Sequence, residues 1–226
     1  MKTTSKILLT LSFLLTLTII TSAQQNYWGI NVGLKASQPS GAAAEEAISP
    51  IGAFTIGARF EKGLSKRLSL MTGINLNARG FSFEETTGSA SDASSFYFEH
   101  RIGYVEVPIA LKWQLGSDKI GLQFMGGTNL GFATAVKENV ILTQSVEGET
   151  EEQLNSEQLN FEELGYQRFN ASILLGTGIY IGLGRSQLFC DVTLDTGLTP
   201  LIEGEDSSKF VGADFVFGLR LPLGKQ

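Results

Sequence analysis

Charged side chains interrupt an apolar run in the segment GYVEVPIALKW, residues 103–113, where Glu106 and Lys112 stand among Val, Ile and Leu. Acids and bases in so apolar a setting can neutralise one another or, in an enzyme, move protons. Glu106 and Lys112 lie about 20 Å apart along a strand, so they cannot pair with each other. Each therefore requires a partner from another strand.

The sequence offers little material for catalysis. His100 is the only histidine, and a hydrolase would need a nucleophile and a carboxylate beside it. Ser94 and Ser95 are near in sequence, but Glu99 alternates onto the opposite face of a strand. Because a lone histidine and a lone cysteine, Cys190, also provide no zinc site, we expect no enzymatic activity, no metal and no cofactor.

Acidic residues are concentrated in two segments, 137–165 and 199–208. They include Glu147, Glu149, Glu151, Glu152, Glu157, Glu162 and Glu163 in the first, and Glu203, Glu205 and Asp206 in the second. Such a surface can bind a divalent cation or a basic partner, although no EF-hand spacing is present. The composition favours solvated, mobile loops whose like charges repel one another.

The first 23 residues have the features of a secretory signal peptide. Lys2 and Lys6 precede an apolar stretch, and Thr21-Ser22-Ala23 forms a small-residue cleavage site. The stretch is short for a transmembrane anchor, which needs about 20 apolar residues. Removal of the two lysines lowers the basic residues from 17 to 15 against 23 acids, so the net charge moves from -6 to -8. We expect residues 24–226 to form one acidic domain that does not bind nucleic acid.

The rest of the chain alternates apolar and polar residues with period 2, which predicts strands, and no helix is evident. Eight such runs cover residues 27–36, 51–61, 67–83, 97–115, 119–136, 166–183, 187–198 and 209–222. Short connections (62–66, 116–118 and 184–186) alternate with long ones (37–50, 84–96, 137–165 and 199–208). Short turns at one end and long loops at the other are typical of membrane barrels. We predict an all-β fold, an eight-stranded antiparallel up-and-down transmembrane β-barrel.

The apolar and polar faces allow two kinds of barrel. A soluble, lipocalin-like barrel has an apolar interior, whereas a membrane barrel has an apolar exterior and a polar bore. The apolar faces here are almost free of charge, as hydrocarbon requires, because a charge at the midplane costs about 2–4 kcal/mol. Trp28, Phe60 and Trp113 lie on these faces beside the short turns and match an aromatic girdle at one membrane interface, and Phe132 and Phe169 could serve at the other.

The polar faces define a predicted luminal core of charged and tyrosine side chains. It comprises Lys35, Arg59, Glu61, Arg67, Arg79, Tyr104, Glu106, Lys112, Arg168, Asp191, Asp195, Asp214 and Arg220. We expect these charges to form ion pairs across the bore, since unpaired charges there are costly. Counting back from the first turn predicts Glu61 opposite Arg67. Pro108 lacks an N–H, which predicts a bulge or a local break in the fourth strand.

The segment Gly103-Tyr-Val-Glu-Val-Pro-Ile-Ala-Leu-Lys112 resembles a motif of the PorT-like outer-membrane β-barrel family of Bacteroidetes. The matching residues are Tyr104, Glu106, Pro108, Leu111 and Lys112. The first strand, from Trp28 to Lys35, is similar to that family's first strand. The resemblance implies an outer-membrane barrel, and the founding member of that family is tied to protein secretion. The end of this chain, Leu-Pro-Leu-Gly-Lys-Gln, departs from the terminal aromatic residue that is common in such barrels.

These observations lead to one functional expectation and two alternatives. We expect a small, non-enzymatic outer-membrane barrel, monomeric in lipid, whose acidic extracellular loops serve envelope integrity, adhesion or docking of a partner. One alternative is an accessory barrel of a protein secretion or envelope-assembly machine, which would contact other envelope proteins through those loops. The other is a soluble periplasmic lipocalin-like carrier. An open pore is not expected, because eight strands leave no aqueous channel.

Overall fold

Nine antiparallel strands make up the fold in a computed structural model, which describes residues 25–41, 48–89, 92–146, 149–159, 161, 165–202 and 208–224. They are β1 (Asn26–Ser40), β2 (Ile48–Gly63), β3 (Leu68–Ser89), β4 (Asp92–Gly116), β5 (Ile120–Val146), β6 (Glu149–Leu159), β7 (Phe169–Leu183), β8 (Ser186–Gly197) and β9 (Lys209–Leu223). The signal peptide predicted for residues 1–23 lies outside these ranges. Within them, no helix has the length and apolar character needed to cross a membrane.

Eight of the strands close into a ring, as the sequence predicts. Each neighbour in the chain pairs with the next, β1 pairs with β9, and the ring passes directly from β5 to β7. The turns 64–67, 117–119 and 184–185 join strands at one end of the ring, called here the short-turn end. The predicted up-and-down barrel of eight strands is confirmed, and β6 lies outside the ring.

Two of the long predicted loops, 84–96 and 137–165, are largely strand, so that part of the prediction is wrong. β3 and β4 stay paired out to Ser89 and Asp92, and β5 continues past the ring to form a hairpin with β6. We call residues 84–89, 92–101, 137–146 and 149–159, which project beyond the ring, the outer sheet. Of the acidic loop residues, Glu147, Glu162, Glu163, Glu203, Glu205 and Asp206 lie outside the described part of the chain.

The apolar faces of the ring point outward and the polar faces point inward. Leu111 and Phe217 keep 52% and 49% of their surface exposed, whereas Glu106 and Arg220 keep 2% and 1%. On the outer surface, Trp28 pairs with Phe60 across β1 and β2, and the Trp113 ring lies 6.3 Å from the ring of Phe124. This band of exposed aliphatic and aromatic side chains is an inversion of the usual soluble fold.

A β-bulge marks where the wall of the barrel changes its chemistry. Gly103 pairs with Ala135 and Tyr104 with Ala133, which leaves Thr134 of β5 as an extra residue. Above the bulge the outward side chains are polar: Glu99 accepts hydrogen bonds from Arg101 (3.0 Å) and Asn139 (3.4 Å). The apolar outer band therefore ends at this level.

Pro108 produces neither a bulge nor an interruption of β4. The register between β3 and β4 is the same on both sides of it, since Thr72 faces Ile109 and Asn75 faces Glu106. Only the two intervening pairs of the ladder are missing, because proline has no N–H to donate. The predicted local break is thus confined to the pairing with β3.

Candidate functional site

An upper ionic cluster occupies the bore at the end nearer the outer sheet. It consists of Lys35, Arg79, Glu106, Asp195 and Asp214. Arg79 bridges Glu106 and Asp195 at 2.6 Å each, and Lys35 lies 3.0 Å from Asp214 and 3.2 Å from Asp195. Because β-strands present every second residue inward, five strands each contribute one member.

Glu106 is the most heavily bonded carboxylate of the upper ionic cluster. In addition to Arg79 and Lys35, it accepts hydrogen bonds from the side-chain amides of Asn77 (2.7 Å) and Asn129 (2.8 Å). These donors offset the loss of water around a charge that is almost wholly buried. The glutamate that interrupts the apolar run in β4 therefore anchors the interior of the barrel.

A lower ionic cluster lies nearer the short-turn end. It consists of Arg59, Glu61, Lys112, Asp191 and Arg220. Glu61 forms ion pairs with Lys112 and, at 2.9 Å, with Arg220, and Asp191 pairs with Arg59 at 2.7 Å. Gln123 donates to Asp191 and accepts a hydrogen bond from Arg220, so it connects Asp191 to Arg220 and, through Arg220, to Glu61.

Two predicted luminal residues and one predicted pairing are wrong. Arg67 is exposed in the turn before β3, where its carbonyl accepts a hydrogen bond from the Gln114 N–H. Glu61 faces Met71, because β2 and β3 begin to pair only at Gly63 and Ser69. Arg168 precedes β7, is exposed and places its guanidinium 4.9 Å from the ring of Phe161.

The two clusters balance each other in charge and fill most of the bore. The upper has two cations and three anions, the lower has three cations and two anions, and the ten charges sum to zero. Between them lies a cavity of about 40 Å³ lined by Asn31, Thr193 and Val216 among others, which is room for one or two waters. At Gly178 a side chain would overlap the Asp191 carboxylate, so glycine provides space for the lower cluster.

An apolar cap closes the bore above the upper ionic cluster. It comprises Ile102, Tyr104, Ala133, Val136, Phe161, Leu201 and Phe210, all buried. Tyr104, predicted as a luminal residue, belongs to this cap, and its ring centroid is 5.8 Å from the Cζ of Arg79. Leu201 and Phe161 come from the connections between strands, which the period-2 pattern does not place.

His100 lies beside the cap in an aromatic stack and not in a catalytic group. Its ring centroid is 5.0 Å from that of Tyr166 and 5.4 Å from that of Phe81. Its Nε2 is buried with no hydrogen-bond partner among the described residues, and burial lowers the pKa of His100 to about 4. The described residues contain no group of three or more His, Cys, Asp or Glu side chains suited to a metal.

The outer sheet carries the excess negative charge of the protein. Its residues include nine acids and only two bases, a net charge of -7, while the whole chain carries -6. β6 pairs with β5 along one edge and has no strand on its other edge in the described part of the chain. Phe96 and Leu142 are exposed on the face that continues the bore, beside a shallow pocket of about 180 Å³.

Sequence reasoning missed the neutral members of the core. Asn77, Gln123 and Asn129 hold the buried carboxylates in place, and Asn31 donates to Asn75 at 3.2 Å. All of them lie on the polar faces of the alternating runs, so the signal was present in the pattern. The predicted luminal core was limited to charged and tyrosine side chains, and these amides carry no charge.

Comparison with known proteins gives a consistent assignment of fold. The sequence model of the outer membrane protein beta-barrel domain family matches residues 22–203. The fold is similar to that of Ail from Yersinia pestis (16% identity, 88% of this chain and 100% of that chain, TM-score 0.41). It is also similar to OprG from Pseudomonas aeruginosa (12% identity, 91% and 100%, TM-score 0.43) and to Neisserial surface protein A (8% identity, 86% and 96%, TM-score 0.43). No protein of curated function matches the chain.

Proposed function

The chain belongs to the outer membrane protein beta-barrel domain family, and from that premise we propose that it is a non-enzymatic barrel that presents an acidic sheet outside the cell for adhesion or docking of a partner. The observation that carries this proposal is the outer sheet itself. Four strands project beyond the apolar outer band, and they hold a net charge of -7. Short turns of such barrels face the periplasm, so the outer sheet faces outward.

The interior supports a binding role over transport or catalysis. The bore contains two ionic clusters and an apolar cap, and an eight-stranded ring is just wide enough for side chains. The lone histidine is enclosed by aromatic rings and has no acid or nucleophile bonded to it. Glu106 and Lys112, which carry the resemblance to the PorT-like family, have structural partners, so they do not favour the secretion role. The exposed apolar exterior does not suit a soluble carrier.

Orientation can be tested by cysteine labelling on intact cells in a Cys190→Ser background. Gln153→Cys places a thiol on the exposed edge strand β6, and Arg185→Cys places one in a turn at the short-turn end. A membrane-impermeant maleimide should label Gln153→Cys on intact cells and Arg185→Cys only after lysis. The reverse pattern, or no labelling of either before lysis, would contradict the proposal.

Adhesion can be tested with charge-neutral variants of the outer sheet. The variant Glu84→Gln, Glu85→Gln, Glu157→Gln removes three exposed charges, and cells carrying it should adhere several-fold less to a surface coated with basic polypeptide. The difference should vanish at high salt, because exposed charges are screened. Asp118→Asn at the opposite end is the control and should have no effect. Equal adhesion of cells carrying the wild type, the triple Glu→Gln variant and Asp118→Asn would contradict the adhesion role.

A role in envelope integrity predicts a different result. Replacement of residues 141–154 by Asn-Gly would shorten the β5–β6 hairpin between Val140 and Asn155, which face each other, and leave the cap residue Val136 in place. If the outer sheet is a docking surface, this variant should lose adhesion while the cells keep their resistance to detergents and bile salts. Loss of that resistance would favour integrity instead.

A further inference from the structure

A basin opens at the short-turn end of the barrel, on the side opposite the outer sheet. Its volume is about 290 Å³, and its walls include Tyr27, Tyr180, Gln114 and Gln187. The walls are fixed by hydrogen bonds, since the Tyr180 hydroxyl donates to the Ser117 carbonyl at 3.1 Å and Gln114 donates to Arg67 through the backbone. The basin is therefore a formed cavity at the periplasmic mouth and not a gap between loose turns.

Hydrogen-bond donors that the described protein does not use lie at the basin and behind its walls. Ser69 is 8% exposed and lines the basin, and its Oγ has no partner among the described residues. Arg220 lies behind the wall residues Tyr27 and Tyr180, 5.3 Å from each ring, and its Nη2 is buried without a partner in the described residues. Buried donors without acceptors are costly, which indicates that an acceptor belongs here.

The rim adds positive charge. Lys66 and Arg67 are exposed on the rim, and neither forms an ion pair within the described ranges. Glu61, the one member of the lower ionic cluster that lines the basin, is paired with Lys112 and Arg220, so the charges of the lining without an ion pair in the described residues are Lys66, Arg67 and Asp118, which sum to +1. An anion is thus favoured over a neutral or cationic ligand.

We propose that this basin binds the terminal carboxylate of a short peptide. The planar guanidinium of Arg67 and the hydroxyl of Ser69, which both line the basin, suit a carboxylate. The acids Glu61 and Asp118 disfavour a doubly charged phosphate. Their oxygens and the amides of Gln114 and Gln187 suit the N–H and C=O groups of a peptide. The volume lies at the small end of ligand sites and admits about two residues. The site is on the other side of the membrane from the outer sheet and does not depend on the adhesive role.

The proposal can be tested by titrating the full chain in lipid nanodiscs with N-acetyl dialanine peptides. The free acids should bind, and the corresponding C-terminal amides should bind at least about tenfold more weakly, because a charge-assisted contact is lost. Tighter binding of the D,D-peptide would identify the end of a cell-wall peptide as the source, and tighter binding of the L,L-peptide the end of a protein. Equal binding of acids and amides, no binding of either, or tighter binding of inorganic phosphate would overturn the proposal.

Variants locate the site. Arg67→Gln and Ser69→Ala should each weaken binding of the free acid about five- to tenfold, and Arg185→Gln, an equally exposed cation in another turn that does not line the basin, should not. Each variant is first checked for the heat-dependent gel mobility of a folded barrel. Unchanged affinity in both Arg67→Gln and Ser69→Ala, with folding intact, would place the peptide elsewhere.

Discussion

Glu106 shows at the residue scale how a charge can be kept inside a membrane protein. Two cations and two amides surround its carboxylate, so every oxygen has a donor. Pairing and hydrogen bonding together offset desolvation, and removal of one member leaves the others with uncompensated charge.

Replacing this carboxylate should therefore be strongly destabilising. We expect Glu106→Gln to lower the free energy of unfolding by about 3–5 kcal/mol, because Arg79 and Lys35 lose a shared partner in the bore. Urea unfolding in lipid vesicles, followed by gel mobility, measures the change. Glu99→Gln is the matched control: its ion pair with Arg101 is on the outer surface, and its loss should cost about 0–1 kcal/mol. Equal effects of the two changes would show that the bore does not depend on this cluster.

His100 gives the outer end of the barrel a dependence on pH. Burial lowers its pKa from 6.5 to about 4, so the folded state binds the proton less tightly than the unfolded state does. The stability that neutral His100 provides is present above pH 6.5 and is lost as pH falls towards 4, up to about 3 kcal/mol in total. The protection factors of the amides from Phe98 to Ile102, which correct for the pH dependence of intrinsic hydrogen exchange, should fall over this range.

The variant His100→Phe isolates that effect. A phenyl ring keeps the stacking with Phe81 and Tyr166 and removes the titrating nitrogen. The protection factors in this variant should be nearly constant between pH 6.5 and 4. An identical fall in protection in the variant would attribute the pH dependence to carboxylates instead.

At the scale of elements, the single extra residue Thr134 sets the height at which the wall changes chemistry. Between the short-turn end and Thr134, the odd-numbered residues of β5, such as Gln123 and Asn129, face inward. Beyond Thr134, towards the outer sheet, the inward residue is the even-numbered Val136. A shift of one residue moves every later side chain to the other face.

Deletion of Thr134 should therefore invert the upper half of β5. Lys137 and Asn139 would turn towards the apolar cap, while Val136 and Val140 would turn to water. We expect the ring to fold and the outer sheet to become sensitive to protease and to bind a hydrophobic dye. Deletion of Thr143, nearer the hairpin tip, should affect only the last pairs with β4 and β6. An intact outer sheet in the Thr134 deletion would contradict the role given to the bulge.

The same elements show what the sequence could and could not predict. The ring strands were predictable because period-2 alternation is a direct readout of which face meets lipid. β6 was not, because its sequence ETEEQLNSEQL lacks β-branched and aromatic residues other than one threonine, and its pairing with β5 supplies what propensity does not. Arg67 and Arg168 were misplaced because parity cannot show where a strand begins.

At the scale of the whole molecule, the bore is filled from end to end by side chains of the described residues, apart from small cavities. We expect no unitary conductance when the purified protein is inserted into a planar bilayer, with a large porin as positive control. Stepwise currents would show that the clusters part to form a channel.

Charge is also divided along the axis, since the outer sheet is acidic and the opposite end carries Lys62, Lys66, Arg67 and Arg185.

The apolar cap has a consequence for the fluids on either side of the membrane. It closes the bore at the end nearer the outer sheet, so the basin opens only at the short-turn end. In the proposed orientation, molecules of the surrounding medium meet the outer sheet, whereas solutes retained inside the envelope reach the basin. The two ends of one small protein would then sample two separate solutions.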